Sequence, residues 1–313
     1  MTKHALITVC EGFIGSYLAE FLSDKGLEVH GTVFNATNFI DNLGKKVSIL
    51  RCDITEKDRV SAIVTEVKPD YIFHLAAQSL ISNSWLDPGQ TFKINTIGTL
   101  NLLEAARVAG INPLIEIVGS SDEYASPSAS DVCIKESSAL CPSSPYGISK
   151  MASDMLGRVY HQTYGLKVVC VRPFSIIGPR KTGDACSEFA RGIVDIESGE
   201  KSKLGVGNLE AMRDFLDVQD AVKAMWLLAE RVKPGEVYNI CSGKGIKIQE
   251  ILYKMISMST HRIKYERESE RVRLSDKPSL IGDCSKLQSL GWRPTIPLEN
   301  TLHNILEYWR SRD

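Results

Sequence analysis

Near its N-terminus the chain reads His4-Ala-Leu-Ile-Thr-Val-Cys-Glu-Gly-Phe-Ile-Gly15, an apolar strand followed by a glycine-bearing turn, and continues into the helix-like Ser16-Tyr-Leu-Ala-Glu-Phe-Leu22. Gly12 would let the backbone approach a pyrophosphate, and Gly15 would allow close packing of the helix on the strand. The helix N-terminus would then face the phosphates. This order predicts the nucleotide-binding start of a parallel sheet. The alternative is a tight turn without a ligand.

Two residues of this turn are unusual. Val9 stands where the first glycine is expected, and a β-branched residue tolerates a positive φ poorly. Glu11 adds a negative charge near the expected phosphate position. We therefore expect the loop to depart from its usual path.

Composition limits the class of protein. The chain has 313 residues, of which 43% are hydrophobic and 24% charged, so it is long enough for two globular domains. A net charge of -1 argues against a nucleic-acid-binding protein. No apolar run reaches membrane-spanning length, and the N-terminus lacks a signal-peptide pattern. We expect a cytoplasmic protein that binds neither membrane nor nucleic acid.

Cysteines and histidines give no sign of a metal site. The eight cysteines lack Cys-x-x-Cys spacing, so the sequence predicts free thiols in a reducing compartment. The six histidines also lack ligand spacing. His74 is interpreted as the end of a strand rather than as a ligand.

Apolar runs alternate with helix-like stretches through the first half of the chain. The predicted strands after the first are 28–33, 47–50, 71–74, 114–118 and 168–171, and the predicted helices include 59–67, 92–109 and 146–164. This alternation predicts an α/β fold with a doubly wound, Rossmann-like parallel sheet. Ligands of such sheets bind beyond the carboxyl ends of the strands.

After Pro173 the pattern loosens into loops, with helix-like stretches at 187–198 and 298–310, as in a smaller substrate-binding domain. The stretch 238–241 has the pattern of one more strand of the main sheet, so the domains should interleave. The predicted boundaries are 1–172 with 214–242 for the dinucleotide-binding domain, and 173–213 with 243–313 for the smaller C-terminal substrate domain.

Tyr146 and Lys150 lie one helical turn apart in Ser144-Pro-Tyr-Gly-Ile-Ser-Lys150. Residues i and i+4 share a helix face, and Pro145 suits a first helical turn. A tyrosine hydroxyl has an ordinary pKa near 10, so a neighbouring ammonium would be needed to favour the phenolate. The pattern predicts proton transfer beside a bound nucleotide cofactor. Taken alone, it also fits an exposed helix face.

The chain resembles the extended short-chain dehydrogenase/reductase family over essentially its whole length. The motifs that carry the resemblance are Ala5-Leu-Ile-Thr8, Gly12-Phe-Ile-Gly15, Asp53-Ile54, His74-Leu-Ala-Ala77, Asn95-Thr-Ile-Gly98, Ser120, Tyr146-x-x-x-Lys150 and Arg213-Asp-Phe-Leu-Asp217. Within the family, 206–220 and 237–243 resemble most the members that act on GDP-linked sugars.

The resemblance implies a role for each matched residue. Ser120, Tyr146 and Lys150 would be catalytic, with Asp122 beside them. The cofactor would be bound by Gly12, Phe13, Ile14, Gly15, Asp53, Ile54, Leu75, Ala76, Ala77, Asn95, Tyr146 and Lys150. The cofactor would be NADP or NAD. The sequence does not distinguish them, because residues 31–35 offer neither the acid typical of NAD sites nor the arginine typical of NADP sites.

The substrate would be held by Ser175, Arg191, Asn208, Arg213 and Arg273. Arg213 and Arg273 would clasp its diphosphate, for which a planar charged fork is suited. Each arginine has the alternative of being a surface charge, and Arg213 could be ion-paired with Asp214. The stretch Ser175-Ile-Ile-Gly-Pro-Arg-Lys181 departs from the family pattern, so the sugar contacts there should differ.

The implied reaction is the NAD(P)H-dependent reduction of the C4 keto group of a nucleotide-linked 4-keto-6-deoxy sugar, GDP-4-keto-6-deoxy-D-mannose to GDP-D-rhamnose. The alternative is a 4,6-dehydratase, which in this family uses a glutamate where Asp122 stands. We expect Glu123 to point to the opposite face of an extended strand, which favours reduction. Asp122 is equally interpreted as a carboxylate with local hydrogen bonds. A third interpretation is a sugar-nucleotide-binding relative with impaired cofactor binding.

The resemblance also implies a homodimer. The helices over 92–109 and 146–164 would pair across a two-fold axis into a four-helix bundle. Leu100, Leu103 and Met155 would then be either interface or core residues.

Overall fold

The computed structural model describes residues 2–34, 46–126, 133–268 and 277–312. The strands, numbered in chain order, are His4–Thr8 (β1), Glu28–Val33 (β2), Val47–Arg51 (β3), Tyr71–His74 (β4), Leu114–Val118 (β5), Lys167–Pro173 (β6), Ser175–Ile177 (β7), Leu204–Val206 (β8), Met212–Asp217 (β9), Val237–Ile240 (β10), Gly245–Lys247 (β11), Tyr265–Arg267 (β12) and Ser279–Leu280 (β13). The α-helices are Phe13–Asp24 (α1), Lys57–Val67 (α2), Ile81–Leu86 (α3), Pro88–Phe92 (α4), Gly98–Val108 (α5), Pro145–Tyr164 (α6), Ala185–Glu197 (α7), Val218–Arg231 (α8), Ile248–Ile256 (α9), Ser285–Ser289 (α10) and Leu298–Arg310 (α11).

The first compact unit comprises the described residues of Met1–Ala125, Glu136–Pro173 and Val222–Ile240. Its seven strands lie in the order β10-β6-β5-β4-β1-β2-β3, and every neighbouring pair is parallel. The six strands after β10 follow the order of a doubly wound nucleotide-binding sheet. The predicted fold class is confirmed, and so is the strand that returns to the sheet as β10.

Apolar side chains of the strands explain why this sheet is buried. Ile72, Ile115 and Val168 lie on adjacent strands and pack with Leu102 and Leu103 of α5 in one core. Near-continuous hydrophobic strands are typical of parallel sheets that helices cover on both faces. The sheet is therefore a rigid support whose carboxyl edge carries the loops described below.

Glu116 is an exception inside this apolar sheet. It is fully buried on the central strand β5, and neither of its carboxylate oxygens has a hydrogen-bond partner among the described residues. Burial raises its pKa well above the ordinary value for glutamate. The side chain is therefore protonated in the folded protein and ionises on unfolding.

Replacing Glu116 with leucine should raise the free energy of unfolding at pH 7 by about 4 kcal/mol or more, because the substitution removes both the cost of keeping the carboxyl protonated above its ordinary pKa and the cost of burying it. In the unaltered protein the raised pKa of Glu116 makes the free energy of unfolding depend on pH. This free energy is highest below pH ~4 and falls by about 1.4 kcal/mol for each pH unit above it. Urea unfolding between pH 5 and 8 measures this slope. Glu116→Gln is the matched control, which should remove the slope but keep the polar cost. An unchanged slope in both variants would contradict the prediction.

The second compact unit comprises the described residues of Ser126–Lys135, Phe174–Ala221 and Cys241–Asp313. Its main sheet is built around β9, which pairs in parallel with β7 and β13 and antiparallel with β11. The strands β8 and β12 form a separate parallel pair. The apolar faces of α7, α9 and α11 form its core, which includes Phe189, Ile193, Leu252 and Leu302.

The two compact units differ from the predicted domain boundaries at two places. The chain returns to the first unit at Val222 rather than at 214, because all strand partners of β9 belong to the second unit. Ser126–Lys135 also belongs to the second unit, where Ile134 forms a bridge with Gly282.

Two whole-chain expectations concern thiols and membranes. All eight cysteines lie within the described ranges and are thiols rather than disulfides, as their spacing predicted. In the described ranges, every helix falls short of the length and apolarity needed to cross a membrane.

Candidate active site

The turn after β1 keeps a conformation that its sequence makes costly. Val9 has φ +56°, in the left-handed region that a β-branched residue disfavours. Val9 thus takes the strained conformation itself, and the expected departure of the loop from its usual path stays a prediction. Its carbonyl accepts a hydrogen bond from Gly12 N at 3.1 Å and would lie 2.5 Å from a Cβ added at Gly15. Glycine at position 15 is thus required by the close approach of strand and helix.

The side chain of Glu11 reaches the end of β2. Its Oε1 accepts a hydrogen bond from the backbone N of Phe34 at 2.7 Å, and the residue is buried. Phe34 follows β2 directly. The carboxylate therefore lies at the carboxyl end of β2, where sequence reasoning alone found no acid.

A buried hydrogen-bonded chain connects the ends of β1 and β4. Thr8 Oγ1 accepts from the backbone N of Leu75 and of Ala76, both at 2.9 Å, and lies 3.1 Å from His74 Nδ1. With both lone pairs of Thr8 Oγ1 occupied, its proton goes to Nδ1, so the network assigns the His74 proton to Nε2. Nε2 lies 2.9 Å from Thr99 Oγ1.

The ring of His74 is neutral. Burial and the charge of Lys150 lower its pKa to about 3. Both ring nitrogens are used in hydrogen bonds, and His74 is the last residue of β4, as the sequence predicted. Its role in the site is to fix the loop that carries Leu75 and Ala76.

Asn95 lies in a π-helical turn, Lys93–Ile97, between α4 and α5. Its amide donates to Ser149 Oγ at 2.9 Å and to Gln78 O at 3.1 Å, and its Oδ1 accepts from Gln78 N at 2.8 Å. Ser149 precedes Lys150 on α6. Asn95 therefore ties the loop after β4 to the helix that carries the tyrosine and lysine.

Ser120 begins a 3-10 turn, Ser121–Glu123, directly beyond β5. Ser120 Oγ accepts from Asp122 N at 3.1 Å and lies 3.4 Å from Asp122 Oδ2. Glu123 Oε1 accepts from Ser120 N at 2.7 Å, and Glu123 Oε2 forms an ion pair with Arg172 at 3.0 Å. The expected extended strand is wrong here, because the backbone turns so that Glu123 can cap Ser120.

Tyr146 and Lys150 lie in the first two turns of α6, and both are buried. Ser144 caps the helix by accepting from Gly147 N at 3.1 Å, and Pro145 occupies the first turn as predicted. The Tyr146 phenol is hydrogen-bonded to the Ser120 side chain. Lys150 Nζ donates to Val118 O at the end of β5, at 2.7 Å. The three residues predicted to be catalytic are thus brought together.

The protonation states differ from the expectation of a cation that favours the phenolate. Burial raises the pKa of Tyr146, and the charge of Asp122 raises it further. Burial lowers the pKa of Lys150 to about 8, while Glu123 acts in the opposite direction. At neutral pH the phenol keeps its proton. Such a group is suited to donate a proton to an oxygen that becomes negative.

The residues predicted to bind the cofactor lie beyond the carboxyl ends of parallel strands. Gly12, Phe13, Ile14 and Gly15 follow β1, while Leu75, Ala76 and Ala77 follow β4. Asp53 and Ile54 follow β3, and Asp53 Oδ1 accepts from Thr55 N at 2.8 Å. This is the edge of the sheet at which doubly wound folds bind their ligands.

A family model described as GDP-mannose 4,6 dehydratase matches residues 6–305 of the chain. The match covers almost the whole sequence, including every motif of the site described above. The chain belongs to this family. The resemblance to extended short-chain dehydrogenases/reductases is thereby confirmed.

Individual relatives of this family member are similar over their full length. GDP-6-deoxy-D-mannose reductase of Pseudomonas aeruginosa is 30% identical, over 100% of this chain and 99% of the relative. GDP-mannose 4,6-dehydratase of Vibrio cholerae is 29% identical, over 97% and 92%.

Solved structures agree with these relatives. RMD from Pseudomonas aeruginosa complexed with NADPH has a TM-score of 0.87 at 30% identity, with 100% of each chain covered. The UDP-glucose 4-epimerase of Thermus thermophilus in complex with NAD has a TM-score of 0.91 at 27% identity, covering 99% of this chain and 100% of the other.

The described residues that were predicted to bind substrate belong to the second unit of this member of the dehydratase family. Ser175 opens β7 and lies in register with Phe215 of β9, whereas Arg191 is exposed on α7 with its guanidinium 6.0 Å from the Trp309 ring centre. Asn208 Oδ1 accepts from Glu210 N at 3.1 Å. Arg273 lies outside the described residues. Their substrate contacts remain a prediction.

Arg213 and Asp214 are adjacent on β9 but have different partners. Arg213 Nη1 donates to Met212 O at 2.8 Å and to Lys277 O at 2.9 Å. Asp214 accepts from the backbone N of Ser242, Gly243 and Gly282. The carboxylate thus organises the loop after β10.

Sequence reasoning missed a buried polar cluster behind Ser120. Arg172 Nε lies 2.9 Å from Asp154 Oδ2, and Arg172 Nη1 donates to Tyr124 Oη at 3.0 Å. The same guanidinium pairs with Glu123. An arginine within the apolar strand 167–173 is the one sequence signal that points to this cluster.

Proposed function

We propose that the chain reduces the C4 keto group of a GDP-linked 4-keto-6-deoxy sugar, converting GDP-4-keto-6-deoxy-D-mannose to GDP-D-rhamnose. The observation that carries the proposal is the buried, protonated Tyr146 phenol hydrogen-bonded to Ser120, with Lys150 one helical turn away. The similarity to GDP-6-deoxy-D-mannose reductase of Pseudomonas aeruginosa supports the choice of substrate.

The residues of the site fit this reaction. Bound reduced nicotinamide supplies the hydride to C4. Tyr146 then gives its proton to the developing alkoxide at O4, so that the carbonyl becomes an alcohol. Ser120 donates a hydrogen bond to the same oxygen, and the nearby Lys150 ammonium favours the negative charge that Tyr146 acquires. Asn95 holds α6 in place through Ser149.

A dehydratase is the second candidate, because Asp122 stands beside Ser120 where that reaction uses a carboxylate. It would have to remove the C5 proton and expel the C6 hydroxyl. Glu123 is engaged by Ser120 N and Arg172, which leaves Asp122 as the carboxylate of this turn for such a role. Aspartate is one methylene shorter than the glutamate of the dehydratases, which supports reduction.

The carboxyl edge of the first unit fits a dinucleotide. Gly12 and Gly15 keep side chains away from the N-terminus of α1, whose first turn carries no acidic residue. Backbone N–H groups at a helix start favour a pyrophosphate. We assign the adenine side to Asp53 and Ile54, and the nicotinamide side to Ala76, Ala77 and Lys150.

We further propose that NADH is preferred over NADPH, on the position of Glu11. In this fold an acid near the end of β2 binds the adenosine ribose 2′-hydroxyl, while a 2′-phosphate requires a cation. Glu11 places a carboxylate there from the neighbouring turn. It would accept a hydrogen bond from the hydroxyl and repel the phosphate.

Titrating the purified protein with each reduced nucleotide by fluorescence should give a Kd for NADH at least about tenfold below that for NADPH, since a like charge costs at least about 1.4 kcal/mol. Glu11→Gln should narrow the gap by weakening this repulsion. Glu66→Gln, an exposed acid on α2, is the control and should leave both constants unchanged. Tighter binding of NADPH by the unaltered protein would contradict the proposal.

The reaction is tested by incubating the protein with GDP-4-keto-6-deoxymannose and NADH or NADPH. Loss of the reduced-nicotinamide absorbance and identification of GDP-D-rhamnose would support it. Conversion of GDP-mannose instead would support the dehydratase. Cofactor binding without turnover of either sugar would reject both, and absence of cofactor binding would favour a sugar-nucleotide-binding protein.

We propose a homodimer formed through α5 and α6, which pack on each other in the first unit. Leu103 is fully buried in the core and Leu100 packs against it, but Met155 and Val159 on α6 are 38% and 51% exposed. Exposed apolar residues on paired helices are typical of an interface. We also propose that the protein works in the cytoplasm, where NAD(P)H is available and thiols stay reduced.

Light scattering after size exclusion should give the mass of a dimer for the unaltered protein. The double variant Met155→Glu, Val159→Glu should give the mass of a monomer, because two charges would be buried on each side. Tyr253→Glu, at an exposed aromatic residue of α9, is the control and should stay dimeric. A dimer that survives the double variant would place the interface elsewhere.

A further inference from the structure

Three metal-binding side chains meet at the amino end of the parallel sheet, away from the proposed active site. His4 is the first residue of β1, and Glu28 and His30 lie on β2. The register pairs His4 with Glu28 and Leu6 with His30. Because side chains alternate along a strand, all three lie on the same face of the sheet.

The distances between their donor atoms match a metal centre. His4 Nδ1 lies 3.4 Å from His30 Nε2, His30 Nε2 lies 3.5 Å from Glu28 Oε1, and His4 Nδ1 lies 3.8 Å from Glu28 Oε2. A tetrahedral zinc ion with bonds of about 2.0–2.1 Å holds its ligands about 3.3 Å apart. The two distances to Glu28 involve different oxygens of its carboxylate, but one donor atom from each residue already lies within 4.8 Å of the others. A rotation of the carboxylate and small shifts of the rings would bring three donors to one ion.

The surroundings favour ligation. The imidazole rings of His4 and His30 are stacked, with centroids 5.6 Å apart and planes 17° from parallel, and this packing places His4 Nδ1 and His30 Nε2 beside each other. The ladder between β1 and β2 fixes the backbone of all three residues.

We propose that His4, Glu28 and His30 form a Zn²⁺ site with water as the fourth ligand. Two imidazoles and one carboxylate are a donor set that zinc takes in proteins. The ion would join β1 to β2 at the end of the sheet opposite the catalytic residues. Sequence spacing does not reveal the site, because β-strand pairing brings His4 next to residues more than twenty positions away.

The test uses the untagged, chelator-treated protein and Zn²⁺ alone in calorimetric titration. We expect one zinc ion per chain, a higher Tm with zinc, and at least about tenfold weaker binding in His30→Gln and in Glu28→Gln. His261→Gln and Cys141→Ser, at exposed donors elsewhere, are the matched controls and should bind as the unaltered protein does. NADH binding by each variant checks that it is folded, and His4→Gln provides a third ligand variant if one fails.

X-ray absorption at the zinc edge gives a second readout. Nitrogen and oxygen neighbours without sulfur are expected. Three results would each overturn the proposal. They are sulfur neighbours around the zinc, unchanged zinc binding in His30→Gln and Glu28→Gln, and the absence of saturable zinc binding. None of these readouts depends on the sugar substrate, so the result stands apart from the proposed reaction.

Discussion

Replacing Tyr146 with phenylalanine should lower kcat for the keto sugar by about 10²–10⁴-fold, the usual contribution of a positioned proton donor. The substitution removes one oxygen from a buried ring, so packing around it is kept. The hydride can still approach C4, but the alkoxide at O4 has lost its proton source. Steady-state rates with each nucleotide measure the effect, and the Kd for NADH should change by less than about twofold because Lys150 remains.

Tyr160→Phe is the matched control for this experiment. Tyr160 lies on the same helix, and its hydroxyl donates to Glu104 Oε1 at 2.6 Å. The change is chemically identical, yet it lies at the other end of α6 and should leave kcat unaltered. A Tyr146→Phe enzyme that keeps full activity would mean that Ser120, Asp122 or water provides the proton.

Replacing Arg172 with methionine should lower the free energy of unfolding by about 3–5 kcal/mol, as expected when one partner of a buried ion pair is removed. Glu123 and Asp154 would then face each other in the interior without a cation. Burial and the charge of Asp154 already raise the pKa of Glu123 in the intact protein. Without Arg172 the Glu123 carboxyl would have to bind a proton to stay buried.

The loss should therefore depend on pH. The raised folded-state pKa of Glu123 means that the stability of Arg172→Met is greatest at low pH and falls as pH rises through that pKa. Urea unfolding at pH 5.5 and 8 measures this, with the triple variant Arg172→Met, Glu123→Gln, Asp154→Asn as the control that should recover stability at pH 8. Equal loss at both pH values would indicate a packing defect instead.

The sequence predicted the central sheet well because its strands are apolar and its helices periodic. The strands 28–33, 71–74 and 114–118 were predicted with their observed bounds. The predicted helix 92–109 is interrupted, because the polar side chain of Asn95 is held inside by Gln78 and Ser149. The contact with Ser149 joins residues 54 positions apart, so it leaves no local signal in the sequence.

Short motifs indicated where Tyr146 and Lys150 lie on a helix, and the family resemblance added Ser120 after a strand; the structure brings the three together, while their catalytic roles stay a proposal. Features that depend on tertiary contacts were not predicted. The conformation of Val9, the direction of Glu11 and the pairing of Glu123 with Arg172 all depend on which strand end lies nearby. These depend on the assembled sheet, so no window of sequence contains them.

The π-helical turn at Lys93–Ile97 has a consequence for how this segment can change in evolution. A π turn holds one extra residue, which equals about 100° of rotation in an α-helix. The helical residues before and after the π turn are therefore rotated relative to each other about the helix axis. This rotation lets Asn95 face inward while Leu102 and Leu103 stay in the core. Deleting a single residue here would restore an ordinary helix and turn one of these two faces towards solvent. The number of residues in this segment is therefore constrained from both sides, by the inward contact of Asn95 with Ser149 and by the packing of Leu102 and Leu103 in the core.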